Sequence, residues 1–545
     1  MKSRLVLLSV MVVSLFCFSA CSSSGSSTPP PPTTYTIGGT VINLAGTGGG
    51  LVLQDNGGDN LPVNANGNFT FATAIASGDA YKVTVLTQPT SPAQICGVAN
   101  GTGTVTGNVT NVAVDCGHNE WTWESGANVN NQPGTYGTLG TAAPGNVPGA
   151  RPNAVRWTDA AGNLWLFGGI GYDSAGTFGR LNDLWKYSAG EWTWESGANV
   201  VSQQGTYGTL GTAATTNVPG ARTNAVSWTD SAGNFWLFGG FGYDSAGTCS
   251  FLNDLWKYSA GEWTWMGGAN VAKQQGTYGT QGTAATTNVP GARSDAMSWT
   301  DSAGNFWLFG GLGYDSAGTF GGLNDLWKYS AGEWTWESGA NVVNQQGTYG
   351  TLGTAATTNV PGARRLAVSW SDSAGNFWLF GGVGFDSAGT DAGLLNDLWK
   401  YSAGEWTWVN GANVVNQAGT YGTLGMAAQG NVPGARCCAV TWTDSAGNFW
   451  LFGGAGYDSV GNAGDLNDLW KYSTGEWTWV NGANVNSQPG TYGTLGTAAT
   501  TNVPGARLYA VSWTDAAGNL WLFGGIGYDS AGNNEYLNDL WKYEP

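Results

Sequence analysis

The chain has 545 residues with 89 glycines and 30 tryptophans, only 10% charged residues and a formal net charge of −17. This length is too great for one compact core, so several domains or a repeat array are expected. The aromatic content argues against intrinsic disorder, and the lack of a basic stripe argues against nucleic-acid binding.

Residues 1–20 have the pattern of an export signal. Two basic residues precede the apolar run Leu5–Phe18, which is too short to span a membrane comfortably. The letters FSAC then resemble a bacterial lipoprotein signal. The resemblance implies a lipidated Cys21 and, from Ser22, anchoring to the outer membrane through the lipid alone. Ordinary cleavage after Ala20 is the alternative.

Residues 21–34 are rich in Ser and Pro, which indicates a tether. Residues 35–117 contain short strand-like runs between Gly and Asn turns. They indicate a small β-sandwich, similar to the immunoglobulin-like modules of bacterial surface proteins. In an exported protein, Cys96 and Cys116 are expected to form a disulfide, and two buried thiols are the alternative. The predicted strands are Tyr35–Leu44, Leu51–Gln54, Asn68–Ala74, Tyr81–Leu86 and Val105–Val114.

Residues 118–545 are organised around the motif LNDLWKY, whose fixed period indicates a repeat architecture. Its six copies lie 71, 71, 72, 71 and 71 residues apart, beginning at Leu181, Leu252, Leu323, Leu395, Leu466 and Leu537. Four strands are predicted in each unit. In the second unit they are strand a, Ala221–Trp228; strand b, Asn234–Phe238; strand c, Leu252–Tyr258; and strand d, Glu262–Trp265.

These units resemble the blades of kelch β-propellers. The shared features are the double glycine Gly239-Gly240 after strand b, Trp256 and Tyr258 in strand c, and Trp263 in strand d. The resemblance implies a six-bladed propeller of the kelch and galactose oxidase superfamily. The period is longer than the roughly 50 residues usual for kelch repeats, and the excess lies between strands d and a.

Counting strands predicts how the ring closes. Strands a, b and c occur six times, whereas strand d follows LNDLWKY only five times. The sixth EWTW motif, Glu120–Trp123, precedes the first strand a. We therefore expect this segment to be the outer strand of the sixth blade, which leaves no open sheet edge at the chain ends. The fold class expected is all-β, with this propeller preceded by the small sandwich.

Meandering strands alternate in direction, so the d-to-a and b-to-c connections share one face, here named the long-loop face. The residues that differ among the units collect there, near the end of each b-to-c connection and directly after the arginine that opens strand a. Loops on a rigid scaffold commonly carry binding residues, so this face is the predicted binding surface. Neutral drift at exposed positions is the alternative.

The candidate ligand-binding residues come from this face. Six arginines near the channel mouth can bind a carboxylate or phosphate, and the alternative is a structural role between blades. Arg365 and Arg156 occur in one unit each and are therefore the more informative arginines. The candidates are Arg151, Arg222, Arg293, Arg364, Arg436, Arg507, Asn153, Asn224, Asp295, Arg365 and Tyr509.

Several kinds of chemistry are missing. Some kelch propellers resemble galactose oxidase, whose copper site needs two histidines, but the chain has a single histidine, His118. That argues against a copper or zinc centre and against a Ser-His-Asp arrangement. We predict no catalytic residue, metal or cofactor. The recurring Tyr-Asp-Ser-Ala-Gly indicates Asx-turns rather than calcium loops. Adjacent Cys437 and Cys438 are open to a vicinal disulfide or a redox role, and Cys249 is unpaired.

The sequence therefore favours a monomeric, envelope-anchored, non-enzymatic module that binds a protein or a glycan through its long-loop face. One alternative is a sugar-acid epimerase resembling the sialate-mutarotase kelch family. It would need an arginine for the carboxylate and an acidic residue for proton transfer, and Arg365 and Asp295 are the nearest candidates. A passive envelope protein is the third alternative.

Overall fold

The computed structural model describes residues 32–42, 44, 50–89, 94, 96–116, 119–390, 393–444 and 446–545. The predicted export signal, the lipidation site Cys21, most of the tether and His118 lie outside the described residues. Within them the chain forms strands and turns but no helix, and hence no helix that is long and apolar enough to cross a membrane. The all-β class predicted from the sequence is confirmed.

The N-terminal region forms the predicted small β-sandwich. Two four-stranded sheets, in the orders β5-β2-β10-β8 and β4-β3-β7-β9, pack around one hydrophobic cluster. Strands β2 and β10 pair in parallel, and Cys96 is joined to Cys116 by a disulfide. The strands are β1 (Thr34–Tyr35), β2 (Ile37–Ile42), β3 (Leu51–Asp55), β4 (Asp59–Val63), β5 (Gly67–Thr70), β6 (Ile75–Ala76), β7 (Ala80–Thr87), β8 (Gly97–Ala99), β9 (Thr102–Thr104) and β10 (Val109–Asp115).

The repeat region forms six antiparallel sheets, one for each blade. Its first strand in the chain is β11 (Glu120–Ser125), which precedes the strands of the first blade. The first blade has β12 (Val155–Thr158), β13 (Leu164–Tyr172), β14 (Phe178–Ser188) and β15 (Glu191–Ser196). The second has β16 (Arg222–Thr223), β17 (Val226–Thr229), β18 (Phe235–Tyr243), β19 (Cys249–Ser259) and β20 (Glu262–Gly267). The third has β21 (Arg293–Ser294), β22 (Met297–Thr300), β23 (Phe306–Tyr314), β24 (Phe320–Ser330) and β25 (Glu333–Ser338).

The remaining three blades repeat this pattern. The fourth has β26 (Arg364–Arg365), β27 (Val368–Ser371), β28 (Phe377–Gly384), β29 (Gly393–Ser402) and β30 (Glu405–Asn410). The fifth has β31 (Arg436–Cys437), β32 (Val440–Thr443), β33 (Phe449–Tyr457), β34 (Ala463–Ser473) and β35 (Glu476–Asn481). The sixth has β36 (Arg507–Leu508), β37 (Val511–Thr514), β38 (Leu520–Tyr528) and β39 (Asn534–Glu544).

The ring closes as the strand count predicts. Strand β11, the first EWTW segment, pairs antiparallel with β39, the last strand of the chain, with Trp121 opposite Tyr543. The N-terminal strand is therefore the outer strand of the sixth blade. The inner strands contact one another around the ring, including β12 of the first blade with β37 of the sixth. The predicted six-bladed propeller closed by an N-terminal outer strand is confirmed.

Aromatic side chains fill the spaces between the blades. Trp157 of the first blade stacks on Phe235 of the second with ring centroids 3.6 Å apart, and the same stacked pair recurs between the second and third blades. The first Trp of each EWTW segment, such as Trp192 and Trp263, is fully buried. The first tryptophan of each EWTW segment thus forms part of the core between blades.

The observed strands differ from the predicted ones in two ways that affect the long-loop face. In five blades strand a is interrupted after the residue that follows its arginine, so it consists of two short segments, whereas the first blade has only the second segment, β12. Strands b and c are longer than expected: in the second blade they reach Tyr243 and start at Cys249. The double glycine Gly239-Gly240 has φ of 65° and 95° and forms a bulge, after which pairing resumes. The variable residues of the b-to-c connection therefore lie mostly on strand c.

The long d-to-a connection covers the outer edge of the blade that it enters. Before the first blade, the amide of Gly140 donates to the carbonyl of Trp194, and the side chain of Asn146 donates to the carbonyl of Trp192. A bridge between Ala143 and Trp192 adds to this pairing. The extra length of the repeat thus protects a sheet edge that would otherwise be open to another chain.

Candidate functional site

The six arginines that open strand a lie inside the blades, with relative exposures of 0–1%. Arg151 forms a two-point ion pair with the carboxylate of Asp183 in strand c, at 2.6 and 2.8 Å. It also donates to the carbonyls of Gly149 and Gly168. The same ion pair is present in every blade. The expectation that Arg151, Arg222, Arg293, Arg364, Arg436 and Arg507 bind a ligand is therefore corrected: their guanidinium groups hold the strands together.

The carboxylate of Asp183 accepts two further hydrogen bonds. The hydroxyl of Tyr136, on the incoming d-to-a connection, donates at 2.6 Å, and Nε1 of Trp185 donates at 2.7 Å. Burial disfavours the charge on Arg151, but Asp183 and Tyr136 raise its pKa overall, so the guanidinium stays charged. A buried ion pair needs such full satisfaction to be tolerated. The Asp and Trp of LNDLWKY thus belong to the scaffold.

Six residues, one in each blade, form a closed belt around one mouth of the channel. Each is the second residue after the arginine, and each has a positive φ of 57–63°. Each amide donates to the carbonyl of the equivalent residue in the preceding blade. The bonds run from Asn153 to Tyr509 (3.0 Å), Asn224 to Asn153 (3.3 Å), Asp295 to Asn224 (3.1 Å), Leu366 to Asp295 (3.1 Å), Cys438 to Leu366 (3.1 Å) and Tyr509 to Cys438 (2.9 Å).

The side chains of the belt residues surround a cavity of about 190 Å³, floored by a ring of six alanines. The structure thus brings together four predicted candidates, Asn153, Asn224, Asp295 and Tyr509. The belt also includes Leu366 and Cys438, which were not among the candidates although they occupy the same variable position. Position after the arginine, rather than side-chain polarity, is the signal that finds all six.

Asp295 is held by its neighbours at the mouth. Nδ2 of Asn224 donates to its Oδ1, and the hydroxyl of Ser294 donates to its Oδ2 at 2.6 Å. Burial raises the pKa of Asp295, although these hydrogen bonds and the charge of the candidate Arg365 oppose the rise. Oδ1 of Asn224 is buried and has no partner among the described residues. The mouth therefore offers a carboxyl group beside an unused acceptor.

Cys438 forms a hydrogen bond with Tyr509 and lies within electrostatic reach of Asp295. Its Sγ lies 2.6 Å from Sγ of Cys437, and both cysteines are 7% exposed. Burial raises the pKa of Cys438, while a hydrogen bond with Tyr509 opposes the rise. Burial also raises the pKa of Tyr509, and the neighbouring Cys438 raises it further. Both side chains are thus neutral hydrogen-bonding groups at neutral pH.

Aromatic side chains also lie on the long-loop face, at the variable start of strand c. Phe178 of the first blade packs on Tyr536 of the sixth, with ring centroids 4.7 Å apart. Phe251 of the second blade packs on Phe320 of the third at 4.9 Å. Phe178 and Phe320 remain 40% and 45% exposed. The guanidinium of Arg180 lies 4.5 Å from the ring centre of Phe241. The variable ends of strand c thus form two aromatic platforms.

No group of three or more His, Cys, Asp or Glu side chains that could hold a metal is found in the described part of the chain. The recurring Tyr-Asp-Ser-Ala-Gly segments form turns. Oδ1 of Asp173 accepts hydrogen bonds from the amides of Ala175 and Thr177, and Oδ2 accepts one from Val201. The carboxylate is therefore occupied by the backbone around it.

No protein-family model and no curated protein sequence matches this chain. Among solved structures it is similar to YjhT, at 14% identity over 72% of this chain and 95% of that chain, with a TM-score of 0.43. A fungal alcohol oxidase of the AA5 family, in complex with copper, is 14% identical over 75% and 77%, with a TM-score of 0.38. A structural genomics protein of unknown function from Bacteroides thetaiotaomicron is 10% identical over 95% and 99%, with a TM-score of 0.43.

Proposed function

We propose that this chain is a non-enzymatic binding module, and that it takes a glycan at the belt mouth of the long-loop face. The observation that carries the proposal is the composition of the belt. Its six main chains repeat one geometry, while its side chains are two asparagines, an aspartic acid, a leucine, a cysteine and a tyrosine. A rigid frame that presents different side chains at one opening is suited to recognition.

A glycan fits this mouth better than a flat protein surface does. Sugars combine hydroxyl groups, which need hydrogen-bonding partners, with apolar faces, which stack on aromatic rings. Asn224, Asp295 and Tyr509 supply hydrogen-bonding groups around a cavity of about 190 Å³. The exposed rings of Phe178 and Phe320 supply stacking surfaces on the same face of the propeller.

The proposed setting is the bacterial cell envelope. Export by the N-terminal signal and lipidation at Cys21 would anchor a monomer to the outer membrane, and residues 21–34 would hold the domains away from the lipid surface. Metabolic labelling with a palmitate analogue tests the anchor. Incorporation that is lost in Cys21→Ala supports it, and export of an unlabelled, soluble chain contradicts it.

A glycan array followed by titration calorimetry tests the ligand assignment. For a glycan that binds saturably, Tyr509→Phe and Asp295→Asn should each weaken binding about tenfold, which corresponds to about 1.4 kcal/mol. Thr474→Ala is the matched control, because it lies in a c-to-d turn on the opposite face and introduces the residue found at the equivalent Ala403. Saturable binding that resists every substitution at the mouth would reject the belt as the site.

A sugar-acid epimerase remains the second proposal, because a specific observation favours it. Asp295 lies at the mouth beside Tyr509, within electrostatic reach of Arg365, and burial raises its pKa, a property of many general acids. Interconversion of sialic acid anomers, followed by NMR, tests this proposal. Acceleration that is lost in Asp295→Asn supports an enzyme, and an unchanged rate supports binding alone. A chain with neither ligand nor activity would be a passive envelope protein.

A further inference from the structure

A second set of side chains faces the central channel below the alanine ring. The cavity there has a volume of about 380 Å³ and is lined by the inner strand of every blade. The residue two positions after each alanine is serine or threonine in five blades and arginine in the first. These residues are Arg156, Ser227, Ser298, Ser369, Thr441 and Ser512.

Hydrogen bonds divide this layer into two alternating groups. Ser227 donates to the carbonyl of Arg156, Ser369 to that of Ser298, and Ser512 to that of Thr441. The hydroxyls of the second, fourth and sixth blades are therefore occupied by the neighbouring main chain. The hydroxyls of Ser298 and Thr441 donate to no described residue. The free side chains thus come from the first, third and fifth blades, spaced evenly around the channel.

Arg156 has no ion pair and no side-chain hydrogen bond with any described residue. Burial lowers its pKa to about 10, and no neighbouring carboxylate offsets that effect. The guanidinium is still charged at neutral pH, since this value is well above 7. Arg156 is half-buried, and its side chain lines the channel cavity. A partly desolvated charge without a partner is costly, and an opposite charge commonly offsets that cost. The layer thus has an unpaired cation and two free hydroxyl donors around one space.

We propose that the channel holds a tetrahedral oxoanion, bound by the guanidinium of Arg156 and the hydroxyls of Ser298 and Thr441. A planar guanidinium binds two oxygens of such an anion in parallel. Two hydroxyls from the other side of the ring then reach its remaining oxygens. Three donors arranged around an axis match a tetrahedral ion, whereas a planar carboxylate has oxygens in one plane only. Phosphate and sulfate share this chemistry.

Titration calorimetry of the purified full chain with phosphate, and separately with sulfate, tests the site. Ionic strength is held constant with sodium chloride, because screening weakens any binding of ions. We expect saturation with one ion per chain. Arg156→Ser should weaken binding at least about tenfold, since it removes the only charged group in the channel layer. Arg156→Lys should retain part of the affinity.

Arg156→Ser also controls for folding, because serine stands at the equivalent position in four other blades. Its thermal unfolding temperature should equal or exceed that of the original chain without phosphate, and added phosphate should no longer raise it. Equal affinity for phosphate in the original chain and in Arg156→Ser would overturn the site. Acetate that binds as tightly as phosphate would overturn the tetrahedral assignment. Tyr509→Phe, at the belt, should leave phosphate binding unchanged, which separates this site from the proposed glycan site.

Discussion

The main-chain amide of Asn153 in the first blade donates a 3.0 Å hydrogen bond to the carbonyl of Tyr509 in the last blade. This bond completes the belt, so the ring is closed at its axis as well as at its outer edge. Because only main-chain atoms take part, side chains at the belt can change without breaking it. What the belt requires is a positive φ, which most residues adopt at a cost.

Leu366 should therefore be the most strained belt residue. Leucine has no side-chain group to stabilise the left-handed region, whereas asparagine tolerates it. We expect Leu366→Asn, which introduces the residue found at Asn153 and Asn224, to raise the free energy of unfolding by about 1 kcal/mol. Urea unfolding measures the change. Asn153→Leu is the control, with an expected loss of similar size, and destabilisation by Leu366→Asn would contradict the strain.

Trp121 should be as important to stability as the equivalent tryptophan of an internal blade. It is fully buried, and its ring lies 5.4 Å from that of Phe452 and 4.9 Å from that of Tyr543. We expect Trp121→Ala to cost about 3–5 kcal/mol, the usual range for a buried Trp. Trp263→Ala in the second blade is the matched control. A loss well below that of the control would mean that the N-terminal strand does not complete the sixth blade.

The architecture could be predicted because the number and order of the repeated motifs determine it. Six copies of LNDLWKY and the displaced EWTW at Glu120–Trp123 determine the number of blades and the closure. The contacts inside a blade could not be predicted in the same way. Arg151, Asp183 and Tyr136 recur in every unit, and positions that never vary give no indication of which ones meet. Burial of the arginine depends on the length of the d-to-a connection, which returns Tyr136 to the blade.

The candidate site was predictable only in part. Variation after each arginine indicated the mouth, and the second variable residue does lie there. The first, such as Arg365, lies instead on the short strand before the break. The positive φ of the belt determines which of the two variable residues faces the cavity. The sequence does not reveal this backbone conformation, because Asn, Asp, Leu, Cys and Tyr all adopt it at the belt position. The sequence shows that Arg156 occurs in one unit only. Its lack of a partner could be recognised only from the packing of the channel.

The three cysteines of the propeller should differ in reactivity. Cys437 and Cys438 are 7% exposed, whereas Cys249 is partly exposed. Burial also raises the pKa of Cys438 well above its ordinary value, which suppresses the reactive thiolate. In the native, reduced chain we expect iodoacetamide at pH 8 to modify Cys249 first, and the adjacent pair only after unfolding. Peptide mass spectrometry identifies the sites.

Cys249→Ser provides the control for that experiment. It should abolish modification of the folded chain and leave the modification of Cys437 and Cys438 after unfolding unchanged. Early alkylation of Cys438 in the folded chain would show that the belt opens, and would contradict the packing described for it.

Stability should fall steeply in alkaline solution, because six tyrosines are buried against aspartates. Tyr136 donates to Asp183 at 2.6 Å, and burial, followed by the charge of Asp183, raises its pKa well above the ordinary value of 10.0. The folded chain therefore keeps a proton that the unfolded chain releases above about pH 10. The stabilisation is fully present below that pH and is lost as the pH rises further, by up to about 1.4 kcal/mol per pH unit for each tyrosine. The others are Tyr207, Tyr278, Tyr349, Tyr421 and Tyr492.

Urea unfolding between pH 8 and pH 11.5, with tyrosinate absorbance recorded alongside, measures this dependence. Tyr136→Phe should cost about 1–2 kcal/mol at pH 8, since Asp183 loses one of its donors, and should make the alkaline decline shallower. Tyr35→Phe, in the N-terminal sandwich, is the control and should alter neither quantity. If these tyrosines ionise near pH 10 while the chain stays folded, they are not enclosed with their aspartates, and the shared Arg-Asp-Tyr arrangement does not hold the blades.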